Sequence, residues 1–203
     1  MDLKQTVSEM RRSSILDGAE TVFCERGYNK ATTKMVAKAA GVGEGTIYNY
    51  FKNKHQLLLA LLEKIVMEPI KRIMLENPPD DPAYFLNLII ENRSLFVRKY
   101  GSLLASLLTE ISKNPQLMTE FYQKIIKPFS DLLENYLKKQ ETAGHFRAIN
   151  PLIISNGIIG AIWLNSAFKE SSLDDRYDDI SQEKLTEELI DWIIGGLMPR
   201  KLN

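Results

Sequence analysis

Apolar residues recur at helical spacing along almost the whole chain. Ile15, Ala19, Val22 and Phe23 follow the i, i+4, i+7, i+8 pattern of one helix face, and Gly27 is placed to end that helix. Thr32 and Thr33 offer caps for a short second helix whose inner face carries Val36, Ala37 and Ala40. Gly41-Val42-Gly43 breaks it, and a third short helix is predicted over Glu44 to Tyr50, with Ile47 and then Phe51 facing inward. Asn53 has N-cap chemistry, with Gln56 three residues on as a capping-box partner. The helix it opens is predicted to run to Asn77, kinked at Pro69 and stopped by Pro78-Pro79. Further helices are predicted over Pro82–Tyr100, Ser102–Ser112, Pro115–Ala143 (interrupted at Pro128), Pro151–Glu170 and Gln182–Leu197. Asp174 to Asp179 reads as an acidic, solvated connector. No strand, repeat or low-complexity tract is evident. The expected class is all-α: a three-helix helix-turn-helix unit over residues 1–54, then a helical bundle over residues 55–203.

Composition narrows the class without naming a function. The chain has 203 residues, 44% hydrophobic and 26% charged, the range of ordinary globular proteins. No uninterrupted apolar run reaches the roughly 18 residues of a membrane helix, Ile158 to Leu164 being the longest candidate. Met1 to Arg12 lacks the apolar core of a signal peptide, so a cytoplasmic location is expected. Cys24 cannot form an internal disulfide and is expected to pack. The formal net charge is zero, but it is unevenly spread: residues 1–54 carry nine Lys/Arg against six Asp/Glu, the remainder seventeen against twenty. A basic head on an acidic body can hold phosphate locally.

Two short helices about a glycine-bearing turn form a helix-turn-helix pattern, in which the first helix braces the second in the major groove. At 100° per residue, Ile47 and Phe51 share one face of the second helix, while Gly45, Thr46 and Asn49 point away and Tyr48 and Tyr50 flank them. Gly45 allows close backbone approach to DNA. Thr46 suits a phosphate or thymine methyl, Asn49 an adenine edge, and the tyrosine hydroxyls phosphates.

The motifs Gly27-Tyr28, Thr32-Thr33, Val36-Ala37, Ala40-Gly41-Val42, Gly45-Thr46-Ile47-Tyr48, Tyr50-Phe51 and Lys52-Asn53-Lys54 resemble the N-terminal signature of TetR-family regulators, densely over residues 11–60. Beyond residue 60 the similarity is one of helix layout, with echoes at Asn114-Pro115 and Gly144-His145-Phe146. The resemblance implies a phosphate contact from Thr32 or Thr33, a base or phosphate contact from Lys34, a recognition helix opening over residues 43 to 46, and phosphate anchors at Tyr48, Tyr50 and Lys54. Two positions depart from the family pattern. Gly43 stands where Ser or a similar cap is usual, and Glu44 where a basic or neutral residue is usual. A carboxylate repels phosphates, yet it suits a helix N-terminus and can accept from a cytosine amine. The local helix role is the favoured reading of Glu44.

The resemblance also implies a ligand-responsive repressor that binds a near-palindromic operator as a homodimer and leaves DNA on binding a small apolar or amphipathic effector. Effector binding is expected to move the helix from Asn53 to Asn77 and so change the spacing of the two heads. The effector cavity is expected among Phe85, Arg93, Phe96, Glu110, Tyr122, Phe129, Asn156, Trp163 and Phe168, with Tyr84 and Asn165 as further candidates. Residues 151–170 are apolar nearly all round and are expected to be buried on several sides. With the last helix they imply a four-helix dimer interface carrying Ile158, Ile162, Leu189, Trp192 and Ile193.

Enzyme chemistry finds little support. His55 and His145 have no Cys/His neighbours at metal-ligand spacing, and Gly41 to Gly45 precedes no Lys-Ser/Thr. The aspartate pairs lack the glycine and distal glutamate of a calcium loop. No metal or cofactor is expected. The competing reading is a small-molecule binding protein without DNA binding, which Glu44 and the modest charge of the head leave open.

Overall fold

A computed structural model describes residues 3–76, 79, 81–171 and 174–199. Ten α-helices are found among them: α1 Leu3–Arg26, α2 Thr33–Ala39, α3 Glu44–Tyr50, α4 Lys54–Leu62, α5 Glu68–Lys71, α6 Pro82–Lys113, α7 Pro115–Phe121, α8 Lys127–Thr142, α9 Pro151–Ser171 and α10 Gln182–Leu197. No strand occurs among the described residues, in keeping with the all-α expectation. The chain divides into two compact units, Met1–Val66 with Ser102–Ile125, and Met67–Gly101 with Ile126–Asn203.

In the first unit α1 buries Ile15, Leu16, Ala19, Val22 and Phe23 along one stripe and stops at Arg26, where Gly27 turns the chain at φ 72°. Thr32 caps α2, its hydroxyl accepting from the Met35 amide at 3.2 Å. Gly41 closes α2 at φ 66°, a left-handed conformation that a side chain resists. Gly18 serves a close approach instead: a Cβ there would lie 2.8 Å from the Ala40 nitrogen and 3.0 Å from the Val36 carbonyl oxygen. Glycine at 18 thus lets α1 and α2 pack backbone to backbone. The Asn53 side chain caps α4 by accepting from the Gln56 amide at 2.9 Å. The reciprocal half of the expected capping box is absent, because the Gln56 amide group donates to Glu120 at 2.6 Å. Leu57, Leu58, Leu59, Leu61 and Leu62 are all buried and give α4 a broad apolar face.

Two prolines are absorbed by the same device. A π-helical turn over Glu63–Met67 precedes α5, which carries Pro69 in its first turn, and another over Tyr122–Ile126 precedes α8, which carries Pro128. Proline has no amide to donate into the α-helical ladder, and a widened turn accommodates the missing bond. Helical structure consequently continues to Glu76 past Pro69, through a second π-helical turn over Arg72–Glu76. The expected stop at Pro78 lies outside the described residues.

The break expected between Tyr100 and Ser102 is not formed; α6 is one helix of 32 residues. An internal glycine costs about 1 kcal/mol. The burial of Val97, Tyr100, Leu103, Leu104 and Leu107 around Gly101 outweighs it.

In the second unit the core joins Phe85, Leu86, Ile89 and Ile90 of α6 with Phe129, Leu133 and Leu137 of α8, and Ile158 and Ile162 of α9 with Leu189 and Ile193 of α10. Arg147 ties the α8–α9 connection to the end of α10, its Nε donating to the Gly196 carbonyl at 2.7 Å and its amide to the Leu197 carbonyl at 2.9 Å. Asp174 caps a 3-10 turn over Asp175–Tyr177 and pairs with Arg176, so the acidic connector is locally ordered.

The expectation that α9 is buried on several sides is corrected. Leu152, Ile153, Trp163 and Leu164 are exposed, and the buried residues of α9 fall on the single stripe Ser155, Ile158, Ile162 and Ser166. Averaged over Pro151–Lys169 the mean hydropathy is 1.4, long and apolar enough to cross a membrane by length and composition. A search for unbroken apolar runs misses this because Ser155, Asn156, Asn165 and Ser166 interrupt the stretch.

Candidate nucleic-acid interface

The short helix α3 carries the outward face expected of a groove-reading helix. Ile47 and Phe51 are buried at 1% and 4% exposure and fix its roll against the core. Gly43, Glu44, Gly45, Tyr48 and Asn49 are exposed, and Thr46 and Tyr50 are half-buried. Gly43 caps α3 without a side-chain bond. A Cβ at Gly45 would meet nothing within 4 Å, so nothing in the fold requires glycine there. On α2, Lys34 is exposed, and so is Lys38 one turn further on. Lys38 escaped the sequence reading, although its i+4 spacing from Lys34 signals a shared face.

The hydroxyls near α3 are already engaged. Thr33 donates to the Glu44 carboxylate at 2.8 Å, and its oxygen lies 3.1 Å from the Tyr48 hydroxyl. A threonine hydroxyl has one proton, so with that proton on Glu44 the Tyr48 hydroxyl donates to Thr33. Glu44, placed at the α3 terminus, thus reaches across to the start of α2. The Tyr50 hydroxyl faces Ser8 of α1 at 3.5 Å, and Arg12 lies 5.4 Å from the Phe51 ring centroid, so α1 braces this edge of the unit.

Lys54, expected as a phosphate anchor, is half-buried. Its ammonium donates to the Tyr28 and Ala31 carbonyls at 3.0 and 3.1 Å and sits 4.2 Å from the Tyr28 ring centroid. Burial pushes its pKa down, against the upward pull of Glu110. Tyr28 is in turn pushed far up, by burial and then by Glu110.

The residues expected to form an effector cavity separate. Glu110 and Tyr122 belong to the first unit, Glu110 acting on the Lys54–Tyr28 cluster. In the second unit Arg93 is buried, 5.0 Å from the Phe96 ring centroid and 5.8 Å from that of Phe129, and its Nε donates to Asn92 at 3.1 Å. Burial lowers its pKa to about 10. These three candidates do come together. Phe85 is fully buried and stacks on Tyr136 at 3.8 Å. Asn156 is exposed and accepts from Ser130 at 3.3 Å; Trp163 is exposed, and Phe168 lies against Tyr177 at 6.0 Å. Of the further candidates, Tyr84 is exposed, and Asn165 accepts from the Tyr177 hydroxyl at 2.8 Å.

A cavity of about 420 Å³ that sequence reasoning missed lies in the same unit, lined among others by Met74, Leu75, Leu132, Tyr136, Lys139 and His145. The Tyr136 hydroxyl is buried without a hydrogen-bond partner, and burial raises its pKa. Its lining residues are scattered over residues 74–145, which hides it from inspection by helix face.

Among the expected dimerisation residues, Ile158, Ile162, Leu189 and Ile193 are buried within the chain itself, each below 9% exposure, because they form the α8–α9–α10 core. Trp192 alone of the five is exposed, at 66%. It lines a shallow groove of about 280 Å³ with Ile153, Ile154, Gly157 and Gly196.

Residues 15–61 match the family model of bacterial regulatory proteins, tetR family. The fatty acid metabolism regulator protein of Bacillus subtilis is 26% identical over 198 residues, covering 90% of this chain and 93% of that protein. The solved structure of the regulator FadR from Bacillus subtilis in complex with stearoyl-CoA superposes with a TM-score of 0.73 at 23% identity, over 91% of this chain and 98% of that one. A TetR-family regulator structure from Rhodococcus sp. superposes with a TM-score of 0.77 at 19% identity, over 90% and 96% of the two chains. At these identities the two structures speak for a shared fold.

Proposed function

We propose that this chain, whose residues 15–61 match the family model of bacterial regulatory proteins, tetR family, is a ligand-responsive repressor which binds a near-palindromic operator as a homodimer and is released by an amphipathic effector. Its relatives are transcriptional regulators and not enzymes. A cytoplasmic location goes with this reading, since a DNA-binding regulator works where the DNA is. The observation that carries the reading is α3, seated on Ile47 and Phe51, with Gly45 and Asn49 outward and Thr46 at the margin. Gly45, Thr46 and Asn49 are assigned to base edges; Thr32, Thr33, Lys34 and Tyr48 to the sugar-phosphate strands. Residues 1–54 are taken as the DNA-binding part and 55–203 as the effector-binding and dimerisation part.

Two-fold operators call for two heads, and the exposed Trp192 and Ile153 supply apolar surface that a second copy would cover. For the effector, the stearoyl-CoA complex of the Bacillus subtilis regulator supports a long acyl chain with an anionic polar end. The cavity beside Lys139 and His145, with apolar Met74, Leu75 and Leu132, offers both kinds of lining. Selection from a randomised duplex pool should yield a two-fold sequence bound with steep salt dependence. Stearoyl-CoA should then release that duplex, whereas coenzyme A alone should not. Unchanged operator affinity at saturating stearoyl-CoA would exclude this effector class. A complex whose affinity does not depend on salt would count against the DNA reading itself.

A further inference from the structure

We propose that the Glu44 carboxylate is a built-in competitor for a DNA phosphate, lowering the affinity of the head for all duplexes alike. The inference rests on the DNA-binding reading and adds to it a mechanism at one residue.

The argument starts from proton direction. The three groups form a chain in which Tyr48 donates to Thr33 and Thr33 donates to Glu44, at 3.1 and 2.8 Å. Both hydroxyl protons of this patch therefore run toward one anion. Such chains polarise cooperatively and end best on a charged acceptor. In a helix-turn-helix the helix before the reading helix crosses the sugar-phosphate strand, which is where α2 carries Thr33. A phosphate oxygen is an anionic acceptor of the same kind as a carboxylate. To take the Thr33 proton it must displace Glu44, and the displaced carboxylate is then left close to the phosphate. Glu44 is exposed, and no cation is paired with it among the described ion pairs. No ion pair among the described residues offsets that repulsion.

Two simpler roles predict different behaviour. Glu44 as a helix-terminus charge alone needs no contact with Thr33. Glu44 as a cytosine reader acts on one base pair, whereas a competitor for phosphate acts on every sequence equally.

The test compares the full-length chain with Glu44→Ala, Thr33→Val and the double variant, by fluorescence anisotropy. Two probes of ~30 bp serve, a duplex selected by the wild-type chain and a random-sequence duplex. Glu44→Ala should tighten binding to both by about tenfold, the scale of one hydrogen bond to a charged group. In the Thr33→Val background the gain from Glu44→Ala should shrink to less than about half, since the contested proton is gone. Glu44→Gln, which keeps an acceptor for Thr33 but not the charge, should fall between wild type and Glu44→Ala. Equal melting temperatures check that the variants fold. A gain of the same size with and without Thr33 overturns the proposal in favour of charge alone. A loss confined to selected duplexes with one C·G pair overturns it in favour of base readout, and no change on either duplex overturns it outright. A wild-type chain that forms no salt-dependent complex with any duplex overturns the regulator reading as well, and so is told apart from the other outcomes.

Discussion

The Lys54 ammonium lies 4.2 Å from the centre of the Tyr28 ring while donating to the Tyr28 and Ala31 carbonyls. It therefore anchors the connection between α1 and α2, the segment that delivers Thr32 to its capping position. A cation on an aromatic face together with charge-assisted bonds to two carbonyls contributes about 1–3 kcal/mol. Lys54→Met should lower the melting temperature of the chain accordingly, and DNA affinity should fall as a consequence of the loosened head. Were Lys54 chiefly a phosphate anchor, the same substitution would reduce DNA binding and its salt dependence while leaving the melting temperature unchanged.

Gln56 links the first turn of α4 to α7 through Glu120, its side-chain amide donating at 2.6 Å. That bond, with help from Gln116 and Lys124, holds the Glu120 pKa below its ordinary value of 4.5. A carboxylate depressed in the folded state contributes stability that is present above its unfolded pKa and lost as pH falls through the folded one. Wild type should thus lose this contribution on acidification below about pH 4.5. Glu120→Gln should already lack it at neutral pH and show a shallower decline. Parallel melting curves for the two proteins from pH 7 to pH 3 would refute the link.

Gly45 separates folding from recognition, because a methyl group there meets nothing within 4 Å. Gly45→Ala should stabilise α3 by about 0.5–1 kcal/mol, through lower chain entropy in the unfolded state. It should nevertheless weaken operator binding if the backbone at 45 approaches the groove closely. Thermal melting and anisotropy on one sample measure both. A variant that is more stable and binds with unchanged affinity would show that Gly45 does not lie against DNA.

The helix-turn-helix was legible in the sequence because its signals are local. Caps at Thr32 and Asn53, the turn at Gly41 and the inward pair Ile47 and Phe51 all act within a few residues. What escaped was set by distant partners. Gln56 abandons its capping box for Glu120, 64 residues away, and Lys54 turns inward because the carbonyls of 28 and 31 are waiting for it. Gly101 fails to break α6 because packing on both sides outweighs its propensity. Four of the five residues expected at a dimer interface lie instead in the chain's own core for a related reason: helical periodicity shows that α9 and α10 have apolar faces, but not which of them the chain keeps for its own core.

The last prediction concerns the face left outside. Trp192 and Ile153 are each 66% exposed and line one groove with Gly157 and Gly196, small residues that permit close approach of another helix. Truncating Ile158 or Ile193 should unfold the bundle, since both are buried in the subunit. A charge at Trp192 should act differently. Trp192→Asp places an anion on the face proposed to meet a second copy, where burying it unpaired is strongly unfavourable. The helical signal of the variant should be retained, while sedimentation equilibrium at micromolar concentration shifts from dimer toward monomer. Affinity for a full two-fold operator should then fall by far more than affinity for a half-site, because only the paired heads benefit from both contacts. A Trp192→Asp chain that sediments as wild type would place the dimer interface elsewhere on the body.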